Sequence, residues 1–344
     1  MNTILETQDL SKSFSLKRSM ISRGAAAMGL TKDTHQKVYA VNGVSLQIQK
    51  GEILGLVGES GCGKSTVGRM VASLLPPTSG SIQFEGKEVS ESGVVNHLNT
   101  QMVFQNPYAS LNPRQRIDQL ISEAAVYHGI VDKKNVDTFV ADLLKQVGLD
   151  STYATRYPHQ FSGGQRQRIA IARALSLNPK FVVCDEAVSA LDVSVQAQIL
   201  NLFMDLREQK ALTYLFISHN LAVVEYIADR VAIMYLGKIV EVTDTKTIFS
   251  SANHPYTLAL IADAPRLDSK IVEHRPIQGE LPSPLNPPSG CTFHPRCPHA
   301  MERCSVERPN LVEIAPAHWS ACHLNDQLAS STKPIHLTTR VASM

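Results

Sequence analysis

Across the first 250 residues, short apolar runs alternate with longer stretches whose apolar positions recur at helical spacing. That alternation, broken by brief turns, predicts an α/β domain. Residues 44–48 read as a strand, and 53–57 as a buried strand that runs into a glycine-rich turn. A helix is predicted from Lys64 to about Leu75, where Pro76 and Pro77 stop it. Residues 102–104 give another strand, and strands return at 181–184, 213–218 and 231–235. Between them, 115–178 is mostly helical with Gly148 and Pro158 as breakers, so a helical subdomain at about 106–178 interrupts the sheet.

Three stretches depart from this pattern. Residues 16–38 are basic, rich in small residues and without periodicity, which predicts a solvated loop. Prolines become frequent from about 252, with Pro276, Pro282, Pro284, Pro287 and Pro288 marking a linker-like arm. Residues 326–344 predict a disordered tail. The expected division is a main domain at 1–250, a smaller Cys-rich unit at 251–325, and that tail.

Composition narrows the function classes. With 43% hydrophobic and 19% charged residues, the chain has the make-up of a soluble globular protein. A net charge of +2 makes no case for binding nucleic acid or an anionic surface. The first residues lack the basic and apolar regions of a secretory signal. The longest apolar stretches, 181–184 and 231–236, are far too short to span a bilayer. A soluble chain is expected, with any membrane role arising through partners. Of six cysteines, Cys62 and Cys184 are isolated, and four crowd the last quarter.

The glycine-rich turn is Gly58-Glu59-Ser60-Gly61-Cys62-Gly63-Lys64-Ser65-Thr66, which fits the phosphate-loop pattern G-x-x-x-x-G-K-[ST]. Its glycines let successive backbone N–H groups turn inward around a phosphate, and the following helix aims its positive end at the same anion. Lys64 is expected to reach the β/γ oxygens, and Ser65 to place its hydroxyl on Mg²⁺. Further on, Phe181-Val182-Val183-Cys184-Asp185-Glu186 is an apolar strand ending in two carboxylates. Strand alternation sends them to different faces. Asp185 is expected to hold Mg²⁺ and Glu186 to orient and polarise the attacking water.

Shortly before that strand lies Phe161-Ser162-Gly163-Gly164-Gln165-Arg166-Gln167-Arg168. A Ser-Gly-Gly helix start offers a hydroxyl, flexible amides and a positive helix end, all suited to an anion. With these motifs the chain resembles the ABC ATPase family, whose signature is LSGGQ, with Phe161 in the leucine position. The resemblance covers about residues 3–250 and implies a P-loop ATPase with a RecA-like α/β core, an antiparallel β subdomain and a helical signature subdomain. It also implies two cassettes arranged head to tail, with Ser162, Gly163, Gly164 and Gln165 of one closing over ATP bound by the other. Gln105 matches the Q-loop glutamine, near Mg²⁺ and the attacking water, and Asp192 ends the D-loop match that begins at Ser189. His219 matches the switch histidine that contacts the γ-phosphate. Phe14, with Tyr39 as rival, matches the aromatic that stacks on adenine, and Ala187 stands where many members carry proline.

The segment from His254-Pro255-Tyr256-Thr257 to Cys322 resembles the C-terminal extension of oligopeptide/dipeptide permease ATPases, over about 252–323. Cys291, Cys297, Cys304 and Cys322 are separated by five, six and seventeen residues. Structural zinc sites usually begin with closer pairs, whereas four thiolates suit a [4Fe–4S] cluster, which the resemblance implies here. Zinc and a metal-free arm stay open alternatives.

The resemblance as a whole implies an ATP-hydrolysing subunit that energises dipeptide or oligopeptide import, peripheral on the cytoplasmic side of a bacterial inner membrane. Its implied partners are a second, related ATPase, two permease chains that touch residues 106–116, and a periplasmic or lipid-anchored peptide-binding protein. Related systems carry nickel, glutathione or other small solutes. A soluble ABC ATPase, such as a C–P lyase accessory subunit, is the rival class, against which the Cys-rich arm argues.

Overall fold

The computed structural model describes residues 2–15, 37–89, 98–263 and 279–326. The basic stretch, except its last two residues, and the tail beyond 326 lie outside the described residues. Among the described residues, two sheets carry the fold. Strands β1 (Thr3–Ser15), β2 (Lys37–Gln49), β4 (Ser79–Phe84) and β5 (Lys87–Glu88) form an antiparallel sheet in the order β2-β1-β4-β5. In β2, Val44, Leu46 and Ile48 are buried while Ser45 and Gln47 are exposed, the alternation of a sheet with one covered face.

The second sheet has eight strands: β3 (Ile53–Val57), β6 (Thr100–Val103), β7 (Phe181–Asp185), β8 (Thr213–Ser218), β9 (Arg230–Tyr235), β10 (Lys238–Asp244), β11 (Val312–Ala315) and β12 (His318–Ser320). Their order is β11-β12-β10-β9-β3-β8-β7-β6. The five strands from β9 to β6 are parallel, and the three on the other side of β9 are antiparallel. Every residue of β3, β7 and β8 is buried. A parallel strand covered on both faces needs an unbroken apolar run, and these are the runs visible in the sequence. Strands 53–57 and 213–218 match their expected bounds residue for residue.

Helix α1 (Lys64–Val71) is shorter than its expected extent. The prolines at 76 and 77 do not end it. Ser73 takes a left-handed conformation (φ 58°), and the amides of Leu74 and Leu75 both bond to the carbonyl of Arg69, closing the helix a turn early. The interruption between β6 and β7 is helical, as expected: α2 (Pro107–Ser110), α3 (Ile117–Tyr127), α4 (Val136–Gln146) and α5 (Gly163–Leu175). Ile117, Ile121, Val140 and Leu144 seal α3 against α4, and Ile169 joins them from α5. Arginines on α5 hold the two breaker turns, with Arg166 Nε donating to the carbonyl of Pro158 (2.8 Å) and Arg168 Nη1 to that of Val147 (2.6 Å). Helices α6 (Val193–Lys210) and α7 (Leu221–Ile227) flank the parallel strands, and α8 (Thr245–Ser251) and α9 (Pro255–Asp263) follow β10. A last short helix is α10 (Glu302–Val306).

The C-terminal region is stitched onto the main sheet rather than hung from it. β12 pairs with β10, placing Ser320 opposite Glu241 and Trp319 opposite Val242. Glu241 is fully buried, and its carboxylate accepts the backbone N–H groups of Asn253 (2.7 Å) and His254 (3.0 Å) and meets His318 Nε2 at 2.7 Å. A buried carboxylate is tolerable only when its oxygens are satisfied in this way. His254 is buried too, and its Nδ1 accepts the amide of Tyr256 at 3.1 Å, which requires an unprotonated nitrogen there.

Burial pushes His254 down to about 4, with nearby Glu241 opposing. A histidine depressed in the fold binds its proton first in the unfolded chain. Its contribution to stability is therefore complete above about pH 6.5 and is lost as pH falls towards 4. Urea titrations should show wild type losing on the order of 2 kcal/mol more than His254→Asn between pH 7 and pH 4.5. Equal losses in the two proteins would show that His254 is not responsible.

Candidate nucleotide-binding site

The register of the parallel strands lines up their carboxyl ends. Val57 lies opposite Ser218, Ile217 opposite Asp185, and Cys184 opposite Val103. The phosphate loop, the paired carboxylates, His219 and Gln105 each follow one of these ends, so all four groups emerge along one sheet edge. In open α/β sheets this edge is where ligands bind.

The phosphate loop wraps the start of α1. Gly63 sits at φ 108°, and a Cβ there would meet the carbonyl oxygen of Ala40 at 2.1 Å. A Cβ on Gly58 would lie 2.1 Å from the carbonyl oxygen of Met234. Both glycines are thus required by neighbouring backbone as well as by an anion's approach. Lys64 is buried, and its ammonium donates to the carbonyls of Gly58 (2.8 Å) and Glu59 (2.9 Å). Cys62 is buried within the loop, its thiol held above the ordinary range by burial, with Lys64 opposing. Thr66 is half-buried in the first helical turn, while Ser60 and Gly61 are exposed.

Ser65 Oγ donates to Asp185 Oδ1 at 2.7 Å, joining the phosphate loop to β7. Burial raises the Asp185 carboxyl above the usual carboxylate range, against the hydrogen bond from Ser65 and the charge of Arg69. A hydroxyl beside a desolvated carboxylate is a hard oxygen pair of the kind that takes Mg²⁺. Glu186, next in sequence, has left-handed backbone (φ 49°), and its amide donates to the carbonyl of Ile217. Its Oε2 accepts Gln105 Nε2 at 2.7 Å and lies 3.3 Å from His219 Nδ1. Three residues from distant parts of the sequence therefore meet at one carboxylate oxygen.

Phe14 and Tyr39 are neighbours across the β1–β2 ladder, both exposed, with the Lys12 ammonium 5.6 Å from the Phe14 ring centre. Tyr39 adjoins Ala40, whose carbonyl lies against Gly63, so it is the one tied to the phosphate loop. Ser162 caps α5: its Oγ accepts the amide of Gln165, whose side-chain oxygen accepts the amide of Ser162. Ser162 and Gly163 are exposed, and α5 packs on the other helices of the insertion, β6 and α6. Asp192 is exposed at the start of α6, beside Val193, which is 82% exposed. Ser189 Oγ donates to the carbonyl of Glu186 (3.0 Å), linking this loop to the carboxylates.

Residues 41–189 match the ABC transporter family, and 240–304 match the oligopeptide/dipeptide transporter C-terminal region. The oligopeptide transport ATP-binding protein AppF of Bacillus subtilis is 48% identical over 330 residues, spanning 94% of this chain and 97% of that protein. The dipeptide transport ATP-binding protein DppF of Haemophilus influenzae is 49% identical over 292 residues, spanning 83% and 89%. The chain belongs to the oligopeptide/dipeptide ABC transporter ATP-binding protein family. Among solved structures, cbiO1 of Clostridium perfringens, part of the ABC transporter complex cbiONQ, superposes with a TM-score of 0.61 at 23% identity. That match covers 76% of this chain and 95% of cbiO1, and it shows the shared ABC ATPase fold.

As in its family, the chain carries an ATPase cassette, and no helix among the described residues is long and apolar enough to cross a membrane. All six cysteines are free thiols. Burial holds Cys291 and Cys297 above the ordinary thiol range and pushes Cys322 up to about 12, where Cys291, Cys297 and Cys304 add to the effect. The amide of Cys291 also donates to the carbonyl of Cys304 at 2.8 Å. Among the described residues, however, no group of three or more His, Cys, Asp or Glu side chains is gathered closely enough to hold a metal ion.

Two residues that the sequence reading did not single out also reach this site. Tyr256 Oη accepts the amide of Glu59 (2.9 Å), and Arg296 Nη1 donates to the Glu59 carboxylate (2.9 Å). Both lie in segments quoted for the C-terminal resemblance, yet nothing in their local pattern points across 197 and 237 residues to the phosphate loop.

A carboxyl raised by the fold favours the folded state most below its unfolded value, near pH 4, and opposes folding above it. Asp185→Asn is therefore expected to raise the Tm of the nucleotide-free protein at pH 7.5, with the gain shrinking as pH approaches 4. The same variant should lose Mg²⁺-dependent ATP hydrolysis. A lower Tm at pH 7.5 would show that burial of this carboxylate does not cost stability.

Proposed function

We propose that this chain binds MgATP at residues 58–66 and hydrolyses it to drive import of dipeptides and oligopeptides through a membrane permease. The observation that carries the reading is the double junction at the sheet edge, where Ser65 meets Asp185 and where Gln105 and His219 meet Glu186. The peptide class rests on the relatives named for oligopeptide and dipeptide transport and on the matched C-terminal region.

In this reading the loop amides and Lys64 bind the β- and γ-phosphates, and Tyr39 or Phe14 stacks on adenine. Ser65 and Asp185, together with Gln105, would hold Mg²⁺, and the bound cation would supply neutralisation of charge on the phosphate oxygens. Glu186 orients and polarises the attacking water, and His219 contacts the γ-phosphate. Ser162 and Gly163, exposed at the start of α5, with the half-buried Gly164 and Gln165, serve a second ATPase, as does the loop ending at Asp192. That partner is a related but different chain, and two permease subunits meet residues 106–116. A periplasmic or lipid-anchored binding protein delivers peptide. The assembly sits at a bacterial inner membrane with this chain on the cytoplasmic face. Residues 1–250 act as the cassette and 251–325 as a C-terminal unit braced on its sheet.

Cys291, Cys297, Cys304 and Cys322 suit a [4Fe–4S] cluster by donor type, since soft thiolates favour iron–sulfur or zinc over hard cations, while among the described residues they are not gathered as a metal-holding group. Such a cluster would cross-link the loops that carry these cysteines. Protein purified without oxygen should contain about four irons and four acid-labile sulfides per chain. Stoichiometric zinc without iron would exclude the cluster.

The function itself is tested with Glu186→Gln in the reconstituted importer. Phosphate release should fall by roughly 10²–10⁴-fold while ATP binding is retained. Uptake of labelled dipeptide should stop with it. Hydrolysis at the wild-type rate would remove Glu186 from its role, and dipeptide uptake independent of this chain's ATPase would overturn the substrate class.

A further inference from the structure

Glu59, the second residue of the phosphate loop, is held at three points. Its amide donates to Tyr256 Oη at 2.9 Å, its carbonyl accepts Lys64 Nζ at 2.9 Å, and its carboxylate accepts Arg296 Nη1 at 2.9 Å. Two of the three partners come from beyond residue 250. The Arg296 side chain is only 6% exposed and that of Glu59 22%, so the pair is largely withdrawn from solvent. The tyrosine and arginine stand on an aromatic platform. Tyr235 and Tyr256 have ring centres 4.6 Å apart, and Phe293 packs against them at 5.3 and 5.4 Å. Arg296 also bonds the Tyr235 hydroxyl (3.4 Å) and lies 6.0 Å from the centre of its ring.

Charge gives this arrangement a consequence for nucleotide. A polyphosphate approaching the loop brings several negative charges close to the Glu59 carboxylate. Unpaired and partly desolvated, that carboxylate would repel the ligand, and the guanidinium of Arg296 cancels it. The hydroxyl of Tyr256 meanwhile accepts the Glu59 amide and so fixes the backbone at the start of the loop.

We infer that Arg296 and Tyr256 are positioning residues of the phosphate-binding loop, setting affinity for MgATP through Glu59. The inference rests on the reading that residues 58–66 bind the phosphates of ATP. Arg296 touches no nucleotide; it acts by fixing and neutralising a loop residue. The C-terminal segment is thereby a part of the nucleotide site.

The test measures binding of a fluorescent ATP analogue to the full-length chain, and ATPase KM and kcat in the assembled importer. Arg296→Met should weaken binding and raise KM by roughly tenfold, with kcat at saturating ATP nearly unchanged. The double variant Arg296→Met with Glu59→Gln should recover most of the lost affinity, because the unpaired charge is gone. Arg296→Lys should lie close to wild type. Tyr256→Phe, which keeps the aromatic platform, should weaken binding by a few-fold and covers the case in which Arg296→Met fails to fold. Wild-type affinity in both Arg296→Met and Tyr256→Phe overturns the inference, as does a double variant no better than Arg296→Met alone. Lys64→Ala separates this from the underlying reading: if Lys64→Ala binds the analogue as tightly as wild type, the phosphate-loop assignment itself fails.

Discussion

The site depends on the register of five parallel strands. Because β9, β3, β8, β7 and β6 run in one direction, every segment leaving a carboxyl end emerges on the same edge. A slip of one residue in β7 would exchange the faces of Asp185 and Glu186 and separate Asp185 from Ser65. The register is fixed by burial: β3, β7 and β8 have no exposed residue, so a shifted strand would leave apolar side chains mismatched on both covers. The hydrophobic core and the chemistry are thus set by one constraint.

That constraint also explains how adjacent carboxylates acquire different environments. Asp185 is the last residue of β7, buried and bonded by Ser65. Glu186 leaves the strand in left-handed backbone, anchored by its amide to β8. The turn carries its side chain to where Gln105, from the end of β6, and His219, from the end of β8, both reach it. One carboxylate is tied to the hydroxyl of the phosphate loop, and the other to the side chains of Gln105 and His219. The division of labour follows from strand alternation plus one positive φ.

Much of this was legible in the sequence, and the reasons for the exceptions are physical. Residues 53–57 and 213–218 are built on continuous apolar runs, the second bounded by Thr213 and Ser218, and they fold as read. The phosphate loop, the acidic strand end and the signature carry spacing that survives without any knowledge of contacts. Strand β2 begins at Lys37, well before its apolar-polar alternation does, because pairing with β1 extends it through the unalternating run Val38-Tyr39-Ala40-Val41. Strand β12, with the sequence His-Trp-Ser, has no strand pattern and exists because β10 offers it an edge and Glu241 a partner for His318. Helix α1 is closed by Ser73, just past its end, which takes φ 58°, a conformation its residue type does not advertise. Tyr256 and Arg296 were hidden for the same reason as β12: their roles lie in long-range contacts.

Those long-range contacts change what the C-terminal region is. A unit joined only by a proline-rich linker would leave the sheet edge at β10 open and the phosphate loop supported from one side. Here β12 covers that edge, and edge coverage is itself a defence against unwanted pairing. Glu241, buried beneath it, gathers the backbone at 253 and 254 and the ring of His318, so the start of the extension and its last strand share one carboxylate. The same anchored turn presents Tyr256 to the phosphate loop, and the loop bearing Cys291 and Cys297 presents Phe293 and Arg296. Disturbing the thiol-bearing loop must therefore disturb the wall behind Glu59, because Phe293 and Arg296 lie between the two cysteines in sequence and are packed against the loop's own support. The extension is continuous with the cassette both in its sheet and at its phosphate loop.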